Sequence, residues 1–253
     1  MNKKRVAFFS FTSCEGCQLT VLALEEQLFD LVNLVDIVTF REAMSEKSDE
    51  YDLVFVEGSI TRNSEIEQVK KIRDTAKIVV ALGACATIGG INCLKNHYEM
   101  DDVKKIVYGN MANNFDTIPA RPIEAVIKID YTIHGCPIDK DEFVEVVKAI
   151  LQERKPRIPG YPVCVECQMK ENVCLFEKGM ICLGPVTRAG CKAICPTYND
   201  GCVGCRGLID DPNMSSHKNL LTENGLTIDE AVAEYRLFGS YNGCSPLPKR
   251  ISA

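Results

Sequence analysis

Residues 5–17 are RVAFFSFTSCEGC, an apolar strand pattern that runs directly into a C-x-x-C motif. This strand, Arg5–Phe11, is the first of five that alternate with helical patterns through residues 1–155. The other four strand patterns are Val35–Phe40, Leu53–Glu57, Ile78–Leu82 and Val126–Ile133. Strands that alternate with helices predict an open parallel sheet with helices on both faces. We therefore predict an α/β fold for this part of the chain.

Three helices are predicted among and after these strands, and a fourth near the end of the chain. They cover Thr20–Leu31, Ser64–Thr75, Asp141–Glu153 and Thr227–Leu237. Ser64 is predicted to cap the second of them, because a serine side chain at a helix start accepts a hydrogen bond from a free backbone N–H.

The composition is that of a globular protein, with 46% hydrophobic and 25% charged residues in 253. A formal net charge of -6 argues against nucleic-acid binding, which usually requires a basic face. No run reaches the roughly 18 apolar residues that a membrane-spanning helix needs. The apolar stretch after Met-Asn-Lys-Lys-Arg ends at polar Thr12 and is too short for a signal peptide. We therefore expect no nucleic-acid partner, no membrane span and a cytoplasmic location.

The cysteine count is high, with 14 in the chain. In a reducing compartment, cysteines serve as metal ligands or redox groups more often than as disulfides. Eight of them fall between residues 164 and 205, after a proline-rich linker that follows Lys155. That segment has few periodic apolar runs, so bound metal clusters would supply stability that burial cannot. We predict two domains, 1–155 and 156–253, the second small and irregular.

Four cysteines of the first domain each follow a predicted strand. Cys14 and Cys17 follow the first strand, Cys85 the fourth and Cys136 the fifth. Ligands bind outside the carboxyl ends of the strands in an open parallel sheet, so these four, the first quartet, can converge. Four thiolates are what a [4Fe–4S] cluster needs. A thioredoxin-like dithiol is the alternative for the C-x-x-C, but it leaves two cysteines without a role. Cys93 follows no strand and is interpreted as a spare buried thiol.

Two further quartets lie in the second domain. The second quartet is Cys164, Cys167, Cys174 and Cys182, and the third is Cys191, Cys195, Cys202 and Cys205. Their spacing suits structural zinc as well as iron–sulfur clusters. The presence of a quartet on the sheet favours iron–sulfur, because three clusters in one small chain indicate an electron relay. Cys244 remains unassigned.

At these motifs the sequence resembles the small subunits of [NiFe] hydrogenases, from about Val6 to Gly207. The matching segments of the first domain are 13–19 (SCEGCQL), 56–59 (VEGS), 83–86 (GACA) and 135–137 (GCP). Segments 161–167 (YPVCVEC) and 182–191 (CLGPVTRAGC) are similar to the cytoplasmic NAD(P)-linked branch, the sulfhydrogenase delta-type subunits. The resemblance implies a flavodoxin-like doubly wound sheet, followed by a small, irregular iron–sulfur cluster domain.

The resemblance also implies three [4Fe–4S] clusters: the proximal on the first quartet, the distal on the second and the medial on the third. The proximal cluster would face a large subunit that carries the nickel–iron site. Electrons would pass to or from diaphorase-type subunits that contain flavin and iron–sulfur clusters. The bond chemistry then lies in the large subunit, and no catalytic residue is assigned to this chain.

Two positions differ from the exported branch of the family. That branch has a histidine where this chain has Cys164, and it lacks the fourth medial cysteine that Cys195 provides here. We therefore expect a [4Fe–4S] medial cluster. All-thiolate ligation favours lower potentials than histidine ligation. The exported branch also carries a twin-arginine signal, which is absent here, in agreement with a cytoplasmic enzyme.

Two alternatives stay open on the sequence. One is the cluster subunit of a complex I-like oxidoreductase, although that subunit carries adjacent cysteines in place of C-x-x-C. The other is a zinc-stabilised interaction protein without a redox role. The terminal electron partner is open among NAD, NADP, ferredoxin and polysulfide.

Overall fold

The computed structural model describes residues 3–242 and contains one five-stranded sheet. The strands are β1 (Lys4–Ser10), β2 (Val35–Phe40), β3 (Leu53–Glu57), β4 (Ile78–Leu82) and β5 (Tyr131–Ile133). Their order is β2-β1-β3-β4-β5, and every pair is parallel. This is the flavodoxin-like order of doubly wound sheets. The predicted fold class is confirmed.

The α-helices of the described residues lie between and after the strands. They are α1 (Gly16–Leu22), α2 (Glu26–Leu34), α3 (Asn63–Thr75), α4 (Gly83–Ile88), α5 (Met100–Tyr108), α6 (Lys140–Leu151), α7 (Val163–Met169), α8 (Ile194–Thr197), α9 (Met214–Glu223) and α10 (Ile228–Gly239). Short 3-10 segments join several of them, among them Ile91–His97 after α4.

The two faces of the sheet are covered separately because successive strand residues point to opposite sides. Val6 and Phe8 of β1 belong to the core that includes residues of α1, α2 and α6. Ala7, between them in sequence, belongs to the core formed with α3. Apart from Glu57 at the end of β3, the residues of β3 and β4 are apolar, and all but half-buried Ile78 are buried because helices pack on both faces.

Two of the predicted elements differ from those observed. The helix predicted over Thr20–Leu31 is two helices, broken next to Glu25, whose φ of 55° lies outside the helical region. The fifth strand is only three residues long, and the chain before it is irregular. The Asp130 carboxylate there accepts a hydrogen bond from the Val79 backbone N–H at 2.8 Å and pairs with Arg73, so pairing with β4 starts only after it.

The cap predicted at Ser64 is also wrong. α3 begins at Asn63, and Ser64 lies inside it. Just before the helix, the backbone N–H groups of Thr61 (2.7 Å) and Arg62 (3.1 Å) donate to Glu65 Oε2, and the N–H of Asn63 donates to Asp116 Oδ2 at 3.2 Å. Glu65 thus forms the reaching-back half of a capping box, and the Asp116 carboxylate, not a serine, binds the first helical N–H.

α10 contacts both parts of the chain. It packs on α9 and also on α4 and the segment Ile91–His97. It begins one residue after Thr227, whose side chain caps it. Among residues 3–242, none of the helices is both long and apolar enough to cross a membrane.

Candidate metal centres

The first quartet gathers at the carboxyl edge of the sheet. Cys14 follows β1, Cys17 lies in the first turn of α1, Cys85 lies in α4 directly after β4, and Cys136 follows β5. The Cys85 thiol interacts electrostatically with those of Cys136 and Cys14, and the Cys17 thiol with those of Cys136 and Cys85. The fold thus brings these four thiols together, as their positions after strands predict.

The backbone packs closely around these thiols. At Gly83, where φ is +82°, an added Cβ would lie 2.3 Å from Cys17 Sγ. No Cβ fits that space, so only glycine allows α4 to start this close to α1. The Glu57 carboxylate at the end of β3 accepts the backbone N–H groups of Cys17 (3.1 Å) and Gln18 (3.0 Å), which fixes the start of α1.

Burial raises the thiol pKa values in this quartet. The pKa of Cys85 rises to about 12, first because of burial and then because of its sulfur neighbours. Burial is also the main reason why the pKa values of Cys17 and Cys136 are raised. A metal that binds here must therefore displace protons, so binding and proton release are coupled.

The second quartet lines a cavity of about 100 Å³ together with Val163, Leu175 and Phe176. The Cys164 thiol interacts with those of Cys182, Cys167 and Cys174. Two backbone N–H groups, of Gly184 and Cys202, lie 3.4 Å from Cys182 Sγ as donors. Hydrogen bonds to a ligand sulfur favour its charged form, so this pocket suits a thiolate-bound group.

The third quartet surrounds the turn that leads into α8. The Cys205 thiol interacts with those of Cys191 and Cys195, and the Cys202 thiol with that of Cys205. Burial raises the pKa of Cys205 to about 11. The loop is held by Glu166, whose carboxylate accepts the backbone N–H groups of Gly190 (2.9 Å) and Ala193 (3.2 Å).

The third quartet adjoins both the first and the second. Arg206, which directly follows Cys205 of the third quartet, donates to the His134 carbonyl at 2.6 Å, two residues before Cys136 of the first. The backbone N–H of Cys202, also in the third, donates to Cys182 Sγ of the second. The third quartet therefore lies between the other two. Its members are buried or half-buried, whereas each outer quartet has an exposed cysteine.

The donor set fits iron–sulfur clusters. All thirteen cysteines in the described residues are free thiols, and each quartet is made of sulfur alone. Thiolates are the ligands that iron–sulfur clusters take. Among residues 3–242, no three Cys, His, Asp or Glu side chains form a group that could hold a single metal ion.

Two cysteines stand apart from the quartets. Cys93 is fully buried, and its thiol donates to the Ala120 carbonyl at 3.3 Å. The expectation of a spare buried thiol is thus confirmed as to burial. Cys244 lies outside the described residues.

Sequence reasoning missed the polar residues that support the quartets. His217 of α9 is buried, with Nε2 3.0 Å from the Cys182 carbonyl and Nδ1 2.6 Å from the Tyr235 hydroxyl. Arg206, directly after Cys205, is 1% exposed and pairs with Glu142 of α6 at 2.7 Å. Adjacency to a predicted ligand is the sequence signal for two of the supporting residues: Arg206 follows Cys205, and Glu166 precedes Cys167.

Several known proteins are similar to this chain in sequence. The family model of the NADH ubiquinone oxidoreductase 20 kDa subunit matches residues 14–150. Sulfhydrogenase 2 subunit delta of Pyrococcus furiosus is 36% identical over 90% of this chain and 96% of its own length. A subunit of the F420-non-reducing hydrogenase vhu of Methanococcus voltae is 32% identical, over 83% of this chain and 84% of its own length.

A solved structure has the same fold. A chain of an NAD+-reducing [NiFe]-hydrogenase in its H2-reduced state superposes with a TM-score of 0.58, at 24% identity, over 62% of this chain and 96% of that chain.

The fold and the family model define the class as a subunit of an oxidoreductase. The relatives that match most of the chain narrow that class to hydrogenases, which act on H2. The chain belongs to the small subunits of [NiFe] hydrogenases, of the sulfhydrogenase delta type, a family that binds iron–sulfur clusters.

Proposed function

We propose that this chain conducts electrons between the nickel–iron site of a large subunit and a second redox partner, through three [4Fe–4S] clusters. The first quartet holds the proximal cluster, the third the medial and the second the distal. Each cluster, when bound, supplies a site that takes up and releases one electron. The chain's own residues hold the ligands, shield them from water and set the charge around them.

The order of the quartets is the observation that carries this proposal. Arg206, next to Cys205, bonds the His134 carbonyl two residues before Cys136, and the Cys202 N–H donates to Cys182 Sγ, so the third quartet adjoins both others. Three separate structural sites would need no such contacts. A relay needs each site to be close to the next.

The ends of the relay are at the surface. Cys14 and Cys136 of the first quartet and Cys174 of the second are exposed, which suits electron exchange with a partner at either end. By the family resemblance, the large subunit covers the first quartet. A diaphorase-type partner with flavin and iron–sulfur clusters covers the second and passes electrons to NAD(P) or ferredoxin.

We also propose that the chain divides near residue 155 into a sheet domain, 1–155, and a cluster domain, 156–253. The first would carry the proximal cluster and the second the medial and distal clusters. The same proposal places the enzyme in the cytoplasm.

The test is metal and sulfide analysis of the anaerobically purified full-length chain. Three clusters of four predict about 12 iron atoms and about 12 labile sulfides per chain. A chain that contains mostly zinc and no sulfide would show that the quartets are structural.

A second measurement separates conduction from catalysis. The chain alone, loaded with its clusters, is expected to reduce no dye with H2, because its quartets supply no nickel site. Addition of the large subunit should restore dye reduction. Turnover by the single chain would contradict this division of labour.

A further inference from the structure

Arg206 lies where the first and third quartets meet. Its guanidinium donates three hydrogen bonds: Nε to the Ala189 carbonyl at 2.7 Å, Nη1 to the His134 carbonyl at 2.6 Å, and Nη2 to Glu142 Oε1 at 2.7 Å. The side chain is 1% exposed, and that of Glu142 is 8% exposed. Each of its three nitrogens thus has a partner in the interior of the protein.

The three partners come from segments that carry or support cluster ligands. His134 is two residues before Cys136, Ala189 is two residues before Cys191, and Arg206 itself follows Cys205. One side chain therefore links a ligand segment of the first quartet to two ligand segments of the third. Glu142 adds α6, which packs on the sheet.

The backbone at Gly190 leaves space for the Arg206–Glu142 pair. Gly190 has a φ of +113°, and an added Cβ would lie 2.2 Å from Arg206 Nη2 and 2.9 Å from Glu142 Oε1. A planar guanidinium can bond three acceptors at fixed angles, and lysine cannot reproduce that fork. A buried ion pair stabilises a fold little, because desolvation offsets its attraction. Stability alone is therefore a weak reason for a charge at this position.

We infer that Arg206 is a positioning residue of the relay: it holds the first and third quartets in contact, and its charge balance with Glu142 sets the potentials of the two clusters. The inference rests on the proposed function. A reduced cluster carries one more negative charge than an oxidised one, so a nearby positive charge makes reduction easier. Glu142 offsets the charge of Arg206.

The direct test is Glu142→Gln in the full-length chain, purified anaerobically with its accompanying subunits. The amide leaves the positive charge of Arg206 uncompensated. We expect normal iron content and more positive midpoint potentials for the proximal and medial clusters in a redox titration followed by electron paramagnetic resonance. The potential of the distal cluster, beyond the third quartet, should stay close to that of the wild type.

Asp130→Asn is the matched control. It removes a carboxylate from another arginine pair, Arg73–Asp130 at 2.6 Å, next to the starting end of β5 and away from the carboxyl edge. No cluster potential should change in this variant. Equal shifts in both variants, or unchanged potentials in Glu142→Gln, would overturn the electrostatic role.

Arg206→Lys tests the positioning role separately, because it keeps the charge and loses the fork. The spin–spin interaction between the reduced proximal and medial clusters should weaken while iron is retained. An unchanged interaction would overturn the positioning role. If this variant fails to take up iron, the same spin–spin measurement on Glu142→Gln, which weakens the Nη2 bond of the fork, tests the positioning role in its place. Absence of iron and sulfide from the wild type would instead refute the proposed function.

Discussion

Single cysteines differ here in their neighbours more than in their burial. Cys93 is fully buried, yet its thiol bonds the Ala120 carbonyl and belongs to no quartet. Cys195 is half-buried, and its thiol interacts with those of Cys191 and Cys182. Burial raises the pKa of both thiols, so pKa alone does not separate a ligand from a core residue. The number of sulfur neighbours among the described residues differs: the Cys93 thiol interacts with that of Cys85, whereas the Cys195 thiol interacts with those of Cys191 and Cys182.

Cys195→Ala tests this distinction. Removal of one of four ligands should convert the medial cluster toward a three-iron form, because the iron that Cys195 binds is lost. The oxidised protein should then show a three-iron signal in electron paramagnetic resonance and contain one iron fewer per chain. Cys93→Ala is the control and should keep the wild-type spectrum. A wild-type spectrum in Cys195→Ala would remove Cys195 from the ligands.

Among the elements, α10 contacts residues next to both the first and the second quartet. Its Tyr235 bonds His217, which in turn bonds the Cys182 carbonyl behind the second quartet. Three residues further on, Phe238 packs with Ala84 and Ile88 of α4, the helix that carries Cys85. A helix that the sequence predicts only as a segment near the end of the chain thus supports two separate quartets.

Phe238→Ala is expected to loosen α4. Loss of a buried aromatic side chain costs about 3 kcal/mol or more, through lost burial and the cavity left behind. Denaturant unfolding should show reduced stability, and a chelator should release iron faster from the proximal cluster than in the wild type. Phe238→Leu, which keeps an apolar side chain, should lose less stability and release iron more slowly than Phe238→Ala. Equal iron release from all three proteins would show that α10 does not support α4.

At the scale of the whole molecule, the two parts of the chain are held by different forces. The sheet has an extensive apolar core on each face. The apolar cores around the second and third quartets are small: one has Val163, Leu175 and Ala193 as its buried members other than cysteines, and the other joins Leu183 and Val186 to α9 and α10. These cores are much smaller than those of the sheet, so we expect bound clusters to contribute a larger share of the stability of this segment.

Removal of iron by a chelator under reducing conditions should therefore unfold this segment first. Trypsin should then cut at Lys170 and Lys178 much faster than before. Lys71, equally exposed but within α3 on the sheet, should be cut at its earlier rate. Mass spectrometry of the fragments gives both rates. Acceleration at all three lysines would mean that the clusters stabilise the chain as one unit.

Much of the fold was predictable from local pattern. The bounds of β2, β3 and β4 agree with the prediction, because apolar strands buried on both faces are clear in sequence. β5 was predicted too long because the apolar residues before it, Val126, Ile127 and Ile129, pack against the core without forming a strand. The break next to Glu25 was missed because the residues on both sides continue a helical pattern.

The amino-acid sequence by itself determined the parallel sheet, the all-sulfur donor sets and the grouping of the cysteines along the chain. The sheet follows from the periodic apolar residues of the strands, and the cysteine groups follow from the short intervals between cysteines in the sequence. Only the tertiary structure decided that the third quartet lies between the others, and that Arg206 links it to the first through His134 and Glu142. Those contacts join residues more than 60 positions apart, and packing, which no local pattern encodes, brings them together.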